Sequence, residues 1–273
     1  MHLSLNTTKY FRRFYQPSFL LIVGLLAIGC SLNGQTMIGT VASGENPVGI
    51  ATLNGYTIPA GDNRALIVCG FSFSGPSVAT YDNGTGAVNI PVIESNRFLG
   101  ASPDCACHLL AIGTGTTEIG DISWDGEGTF SVIAFENVDQ SAPTISTNSI
   151  TGGPNAYSLP LTTTPGATLL DFAILARTGS LTEGAGQTIV GSGTNGMGAP
   201  HQWTTKQAAS TSESMAQTSN ENIKYFGMAL NPVLLVAPAS PIPTMGEWGL
   251  LIFGLLVLNF GVLFIRKKQA LLE

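Results

Sequence analysis

The sequence predicts an all-β protein, an antiparallel β-sandwich of jelly-roll type, and three observations predict it. Glycine at 33 and proline at 15 with only 10% charged residues suit many short strands joined by turns. Short apolar runs rich in β-branched and aromatic residues recur through the middle of the chain, bounded by turn residues. No stretch there sustains a helical period, apart from a weak one around Lys206–Met215.

In chain order, Ala65–Phe73 is a nearly continuous apolar run, the pattern of a strand buried on both faces. Asp82-Asn83-Gly84 is a tight-turn signal, because Asn-Gly tolerates positive φ. Gly113-Thr114-Gly115 and Asp125-Gly126 are further breaks. Phe130–Phe135, Leu169–Leu175 and Tyr225–Leu230 read as further strands. Pro232, Pro238, Pro241 and Pro243 then mark a semi-rigid spacer. The expected organisation is a signal region over 1–34, a β-sandwich over 35–231, a linker over 232–241 and a C-terminal segment over 242–273.

The two ends set the expected topology. Lys9, Arg12 and Arg13 precede the apolar run Phe19–Gly29, the plan of a secretory signal read by the export machinery. Ala27-Ile28-Gly29-Cys30 also resembles a lipobox that would lipidate Cys30; ordinary cleavage is the preferred reading, since the usual Leu is missing. At the other end Trp248–Ile265 is apolar except for Asn259, and Arg266, Lys267 and Lys268 follow. Such a span reaches about 27 Å as a helix, enough to cross a bacterial inner membrane. Basic residues stay on the cytoplasmic side, so both ends place the middle of the chain outside.

Ile242-Pro243-Thr244-Met245-Gly246-Glu247-Trp248-Gly249 resembles the C-terminal sorting signal IPTL-CTERM, whose pattern reads Ile-Pro-Thr-Leu-Ser-Glu-Trp-Gly. Six of the eight positions match, with Met245 for Leu and Gly246 for Ser, and the span and basic tail follow in the same order. The resemblance implies recognition by an exosortase-like membrane peptidase and delivery of the body to the cell surface. Pro243 keeps Ile242 extended and accessible. A second, looser resemblance is to bacterial secreted β-sandwich domains that carry Phe-x-Gly-Val-Asp-Gln and Gly-Ala-Gly-Gln-Thr. The counterparts are Phe135-Glu136-Asn137-Val138-Asp139-Gln140, with Asn137 for Gly, and Gly184-Ala185-Gly186-Gln187-Thr188. That likeness implies a fold and an extracellular setting, with motifs that look structural.

Between Gln35 and Met245 five basic residues face fifteen acidic ones, a formal −10 (5 − 15), which excludes an electrostatic footprint for nucleic acid. Cys69, Cys105 and Cys107 would meet an oxidising compartment. Cys105 and Cys107 share one face of a strand, so a Cys69 bridge to one of them is expected, with one thiol left over. Cys105, Cys107 and His108 form a competing metal set without a second ligand cluster, so no metal is expected.

Catalytic signatures fail one by one. Gly191-Ser192-Gly193-Thr194-Asn195-Gly196 satisfies the dinucleotide spacing but is followed by Met197-Gly198-Ala199-Pro200, so it reads as a loop. Gly70–Gly75 misses the nucleophile-elbow spacing at Ser74. Asp121, Asp125 and Glu127 fit no defined Ca²⁺ loop. His201 with Trp203 is a candidate sugar platform, and Lys206 and Lys224 are candidate isopeptide donors. The expectation is therefore a chain that is not an enzyme, has no cofactor, and acts as a structural or interaction protein of the cell surface or matrix. A carbohydrate-binding module with a surface-glycan partner is the alternative, and a secreted hydrolase the third reading.

Overall fold

Alternation and apolar runs resolve into seventeen strands among the described residues of the computed structural model, and all their ladders are antiparallel. Those residues are 34–46, 48–72, 78–97, 104–126, 128–195, 198–233, 254–255 and 257–258. The strands lie in one compact unit, Leu32–Leu234. Nine form a first set: β1 (Thr36–Asn46), β2 (Ala51–Ile58), β3 (Gly61–Ser72), β4 (Val78–Asp82), β5 (Val88–Ile90), β6 (Val92–Arg97), β7 (Asp104–Gly115), β8 (Glu118–Asp125) and β9 (Gly128–Glu136). Eight follow: β10 (Thr144–Gly152), β11 (Asn155–Thr162), β12 (Thr168–Leu175), β13 (Leu181–Glu183), β14 (Thr188–Thr194), β15 (Pro200–Gln207), β16 (Ser212–Ser219) and β17 (Ile223–Leu230).

The two sets repeat one topology. The first makes sheets β1-β9-β3-β7-β6 and β2-β8-β4-β5; the second makes β10-β17-β12-β15-β14 and β11-β16-β13. Replacing β1, β2, β3, β4 by β10, β11, β12, β13 and β6–β9 by β14–β17 turns one order into the other, with only β5 lacking a counterpart. The all-β expectation is met, as antiparallel sheets consistent with a β-sandwich. The repetition is a feature the sequence did not announce.

Three apolar clusters hold the four sheets as layers. One joins the two five-stranded sheets, through Ile67, Cys69, Phe71, Cys107 and Ile133 from the first set and Leu170, Phe172, Trp203, Phe226 and Met228 from the second. A second, with Ile58, Leu66, Val68, Ile122, Trp124 and Phe130, lies between the first set's own sheets. The third, with Leu159, Leu169, Ala173, Met215 and Tyr225, does the same in the second set. The five-stranded sheets are thus covered on both faces. That is why β9, β12 and β17 are buried almost end to end and read as unbroken apolar runs. Gly70 interrupts its run because a Cβ there would lie 2.4 Å from the Thr129 carbonyl oxygen.

Two local expectations are corrected. The weak helical period at Lys206–Met215 is the end of β15, a turn, and the start of β16; tertiary pairing with β12 and β11 outweighs it. Gly191–Thr194 is the end of an edge strand, β14, rather than a loop. The signal region, Cys30, the Ile242–Gly249 motif and the Arg266–Lys268 tail lie outside the described residues, except that Gly254, Leu255, Val257 and Leu258 are helical. Among the described residues no helix is long and apolar enough to cross a membrane.

Candidate functional site

The strand registers bring two five-residue rows into the centre of the molecule. In the first set Ser43, Ser131, Cys69, Cys107 and Glu94 stand side by side across β1, β9, β3, β7 and β6. In the second set the row is Ser149, Phe226, Phe172, Trp203 and Gly191. The rows meet across the seam between the five-stranded sheets. Glu94 accepts hydrogen bonds from Ser149 Oγ at 3.0 Å and Thr147 Oγ1 at 2.8 Å. Trp203 Nε1 donates to Ser131 Oγ at 2.9 Å, and Ser43 Oγ lies 3.0 Å from His201 Nε2.

A serine paired with a histidine invites comparison with a nucleophile and its base, but the polarity of this chain runs the other way. Ser131 Oγ donates to the Ala42 carbonyl at 3.0 Å, which leaves its oxygen to accept from Ser43 Oγ at 3.3 Å. His201 is 2% exposed, and its Nδ1 has no partner among the described residues. A buried lone pair without a partner costs less than a buried N–H without one. The proton therefore sits on Nε2, and His201 donates to Ser43. Burial holds the imidazole below its ordinary pKa, with the charge of Glu45 opposing, so the ring stays neutral. In this arrangement His201 is a donor that closes a hydrogen-bond chain, not a base poised to take a proton.

The second concentrated polar group lies inside the second set. Asp171, fully buried on β12, accepts from Thr204 N at 3.1 Å, Thr204 Oγ1 at 2.6 Å, Gln187 Nε2 at 2.9 Å and Tyr225 OH at 2.7 Å. Burial pushes its carboxyl up to about 7, against the hydrogen bonds from Thr204, Tyr225 and Gln217 that favour the anion. Gln187 also donates to Thr204 Oγ1 at 2.6 Å and accepts from Ala216 N at 2.6 Å, tying the two sheets together. Tyr225 is raised in turn, by burial first and then by Asp171.

The segments Phe135–Gln140 and Gly184–Thr188 both serve the fold. Asn137 stands where the Phe-x-Gly-Val-Asp-Gln pattern has glycine and adopts φ +61, a left-handed conformation that Asn tolerates. It opens the crossing between the two strand sets. Asp139 Oδ1 accepts from Ser141 N at 2.8 Å, Ser141 Oγ at 2.6 Å and Ala142 N at 3.1 Å, and these bonds, the Ser141 hydroxyl first, lower its pKa. Gln140 Nε2 reaches back to the Arg64 carbonyl at 3.1 Å. The later motif delivers Gln187 to Asp171, with Gly186 at φ +76 supplying the turn before it.

The remaining sequence candidates separate. Cys69 and Cys107 are joined as a disulfide between directly opposed residues of β3 and β7, with Cα atoms 4.1 Å apart. Cys105 is buried on the same face, outside that bond. His108 faces the opposite cluster, edge-on to Trp124 at 5.3 Å, and its Nδ1 donates to the Ile90 carbonyl at 2.8 Å. The period of two therefore parts His108 from Cys105 and Cys107. No group of three His, Cys, Asp or Glu among the described residues could hold a metal ion. Asp121 accepts from Gly55 N at 2.8 Å, and Glu127 lies outside the described residues.

His201 and Trp203 do not make a sugar platform: both are buried in the seam, with Phe172 4.7 Å from Trp203. Lys206 pairs with Glu213 at 2.7 Å, and Lys224 Nζ donates to Thr151 Oγ1 at 2.8 Å. Asp171, Ser43 and Glu94 escaped the sequence reading. Asp171 alone left a trace, as one charge inside the buried run Leu169–Leu175.

No family model matches the chain, and no curated protein matches it. Among solved structures it is similar to a tryptophan-to-tyrosine variant of oxalate decarboxylase from Bacillus subtilis, at 8% identity over 75% of this chain and 78% of that chain, with a TM-score of 0.18. This finding stands against the expectation that the chain is not an enzyme, which is withdrawn. At this degree of similarity the match assigns no activity, substrate or metal.

Proposed function

We propose that this chain is an exported protein of the cell surface or extracellular matrix, with a structural or interaction role, delivered through its C-terminal sorting signal. The observation that carries the reading is Ile242–Gly249 followed by the apolar run to Ile265 and then Arg266, Lys267 and Lys268. In this reading the first 34 residues are a secretory signal and Trp248–Ile265 is a membrane helix. An exosortase-like peptidase is the partner that removes the tail. The Cys69–Cys107 bond supports an oxidising destination, since disulfides persist outside the cytoplasm.

The displayed part is the unit ending near Val233, just before the Pro-rich spacer. Each strand set is read as a jelly roll. Support comes from the order in which strands one, nine, three and seven, with six at the edge, form one sheet of the first set and two, eight, four and five the other. Placing the activity of such a surface protein on its fold alone would be unsafe, because sandwiches host many functions.

The proposal is tested by replacing Ile242, Pro243 and Thr244 with Ala in the full chain and following the protein in its own cell envelope. The uncut precursor should accumulate in the membrane fraction while the body keeps its fold. Release of the triple variant at the parental rate would remove the motif from the account.

A further inference from the structure

We infer that Asn83 is a self-modification site, where the β4–β5 turn promotes cyclisation of Asn83 with Gly84 to a succinimide and hence to aspartate or isoaspartate. The turn assembles the groups that this reaction uses. The nucleophile is the Gly84 amide nitrogen, whose N–H donates to Asp82 Oδ1 at 2.8 Å, a carboxylate placed to take its proton. The electrophile is the Asn83 side-chain carbonyl. Its oxygen accepts from Thr85 Oγ1 at 2.6 Å and from Thr85 N at 3.2 Å, two donors aimed where negative charge develops. Access is open: Asn83, Gly84 and Thr85 are exposed, Gly84 has φ +90, and a Cβ on it would meet nothing within 4 Å.

The bond between Gly84 N and Asn83 Cγ forms and the Cγ–Nδ2 bond breaks. The Gly84 proton passes to Asp82 or water, and Nδ2 leaves as ammonia after taking a proton from solvent. Water then opens the ring at either carbonyl, so the net change is amide plus water to carboxylate plus ammonia. The product matters to the fold because Asn83 Nδ2 donates to Glu118 Oε1 at 2.6 Å, and Glu118 pairs with the buried Arg64 at 3.3 Å. Conversion replaces that donor with a second carboxylate.

An ordered turn also restrains the motion that ring closure needs, and the chain contains its own control for that effect. Asn54-Gly55 is a second exposed Asn-Gly pair, held in β2 with Gly55 at φ +66 and its N–H on Asp121 Oδ1 at 2.8 Å. It shares the restraint and the carboxylate, while no donor sits on the Asn54 side-chain oxygen among the described residues. The two sites therefore differ in the oxyanion donors and in the Asn83 Nδ2 bond to Glu118.

The test is peptide mapping with mass spectrometry of the folded full chain, aged in mildly alkaline buffer, reading the mass gain and ammonia loss at each site. Asn83 should convert at least about fivefold faster than Asn54, a small part of the roughly 10²-fold effect of such donors in an enclosed site. Thr85→Ala should bring Asn83 down to the Asn54 rate, and Thr85→Ser should keep it fast. Conversion of Asn83 at or below the Asn54 rate, or a rate indifferent to Thr85→Ala, overturns the inference.

Discussion

Asp171→Ala lowers the unfolding free energy by about 3–5 kcal/mol, the range for removing one partner from a buried charged network. The substitution strands the donors Thr204 N and Tyr225 OH, which point at the lost carboxylate, and leaves Gln187 Nε2 with Thr204 Oγ1 alone. It also opens space beside Leu169 and Ala173, which share that face of β12. Chemical denaturation of the full chain reads the effect as a lower midpoint with an unchanged slope. A loss below about 1 kcal/mol, the scale of an ordinary surface substitution, would mean the network is not formed.

The same residue gives the protein a pH dependence of defined sign. Its carboxyl, near 3.8 when unfolded, is pushed up to about 7 in the fold. Between those values the folded state holds the proton more tightly. The contribution is therefore full below about pH 4, declines as pH rises towards 7, and is flat above. Asp171→Asn should flatten that part of the stability curve while costing less than Asp171→Ala.

The second large effect is reduction of the Cys69–Cys107 bond. It closes a loop of 38 residues across the middle of the first sheet. On the chain-entropy view such a loop is worth about 4 kcal/mol through the unfolded state. Cys69→Ala with Cys107→Ala adds a cavity in the seam, where both side chains pack against the second strand set. Thermal melts of the parent with and without reductant should differ by many degrees, and the double variant should melt with or below the reduced parent. Identical melts in the two conditions would show that the bond is not made in the mature protein.

Much of the fold was legible where burial dictates composition. The run Ala65–Phe73 announced a strand covered on both faces, and β3 is such a strand through Ser72. Asn83-Gly84 announced the turn that separates β4 from β5. The duplication was not legible, because equivalent positions in the two sets are filled by different chemistry. The central row carries Cys69 and Cys107 in one set and Phe172 and Trp203 in the other. Strand order and pairing are repeated there, and residue identity is not.

Sites were harder to read than strands. His201 and Trp203 look like surface aromatics in a sequence of Gln, Thr and Lys neighbours, yet the layer above them buries both. The Ser43–His201 contact joins residues 158 apart and depends on the stacking of two sheets, which no local pattern encodes. Gly191–Thr194 reads as a loop because no helix follows the glycines, while pairing with β15 makes it an edge strand. Gln187 lies within the Gly184–Thr188 motif, but its role rests on the contact with Asp171, 16 residues away in the chain.

The most direct test of the central claim, export followed by C-terminal processing, is intact mass with terminal sequencing of the protein recovered from separate cell fractions. The account predicts a surface or extracellular species that lacks the N-terminal signal and everything beyond the Ile242–Trp248 region, with one intramolecular disulfide. Full-length protein confined to the inner membrane would contradict it and reduce the motif to an anchor.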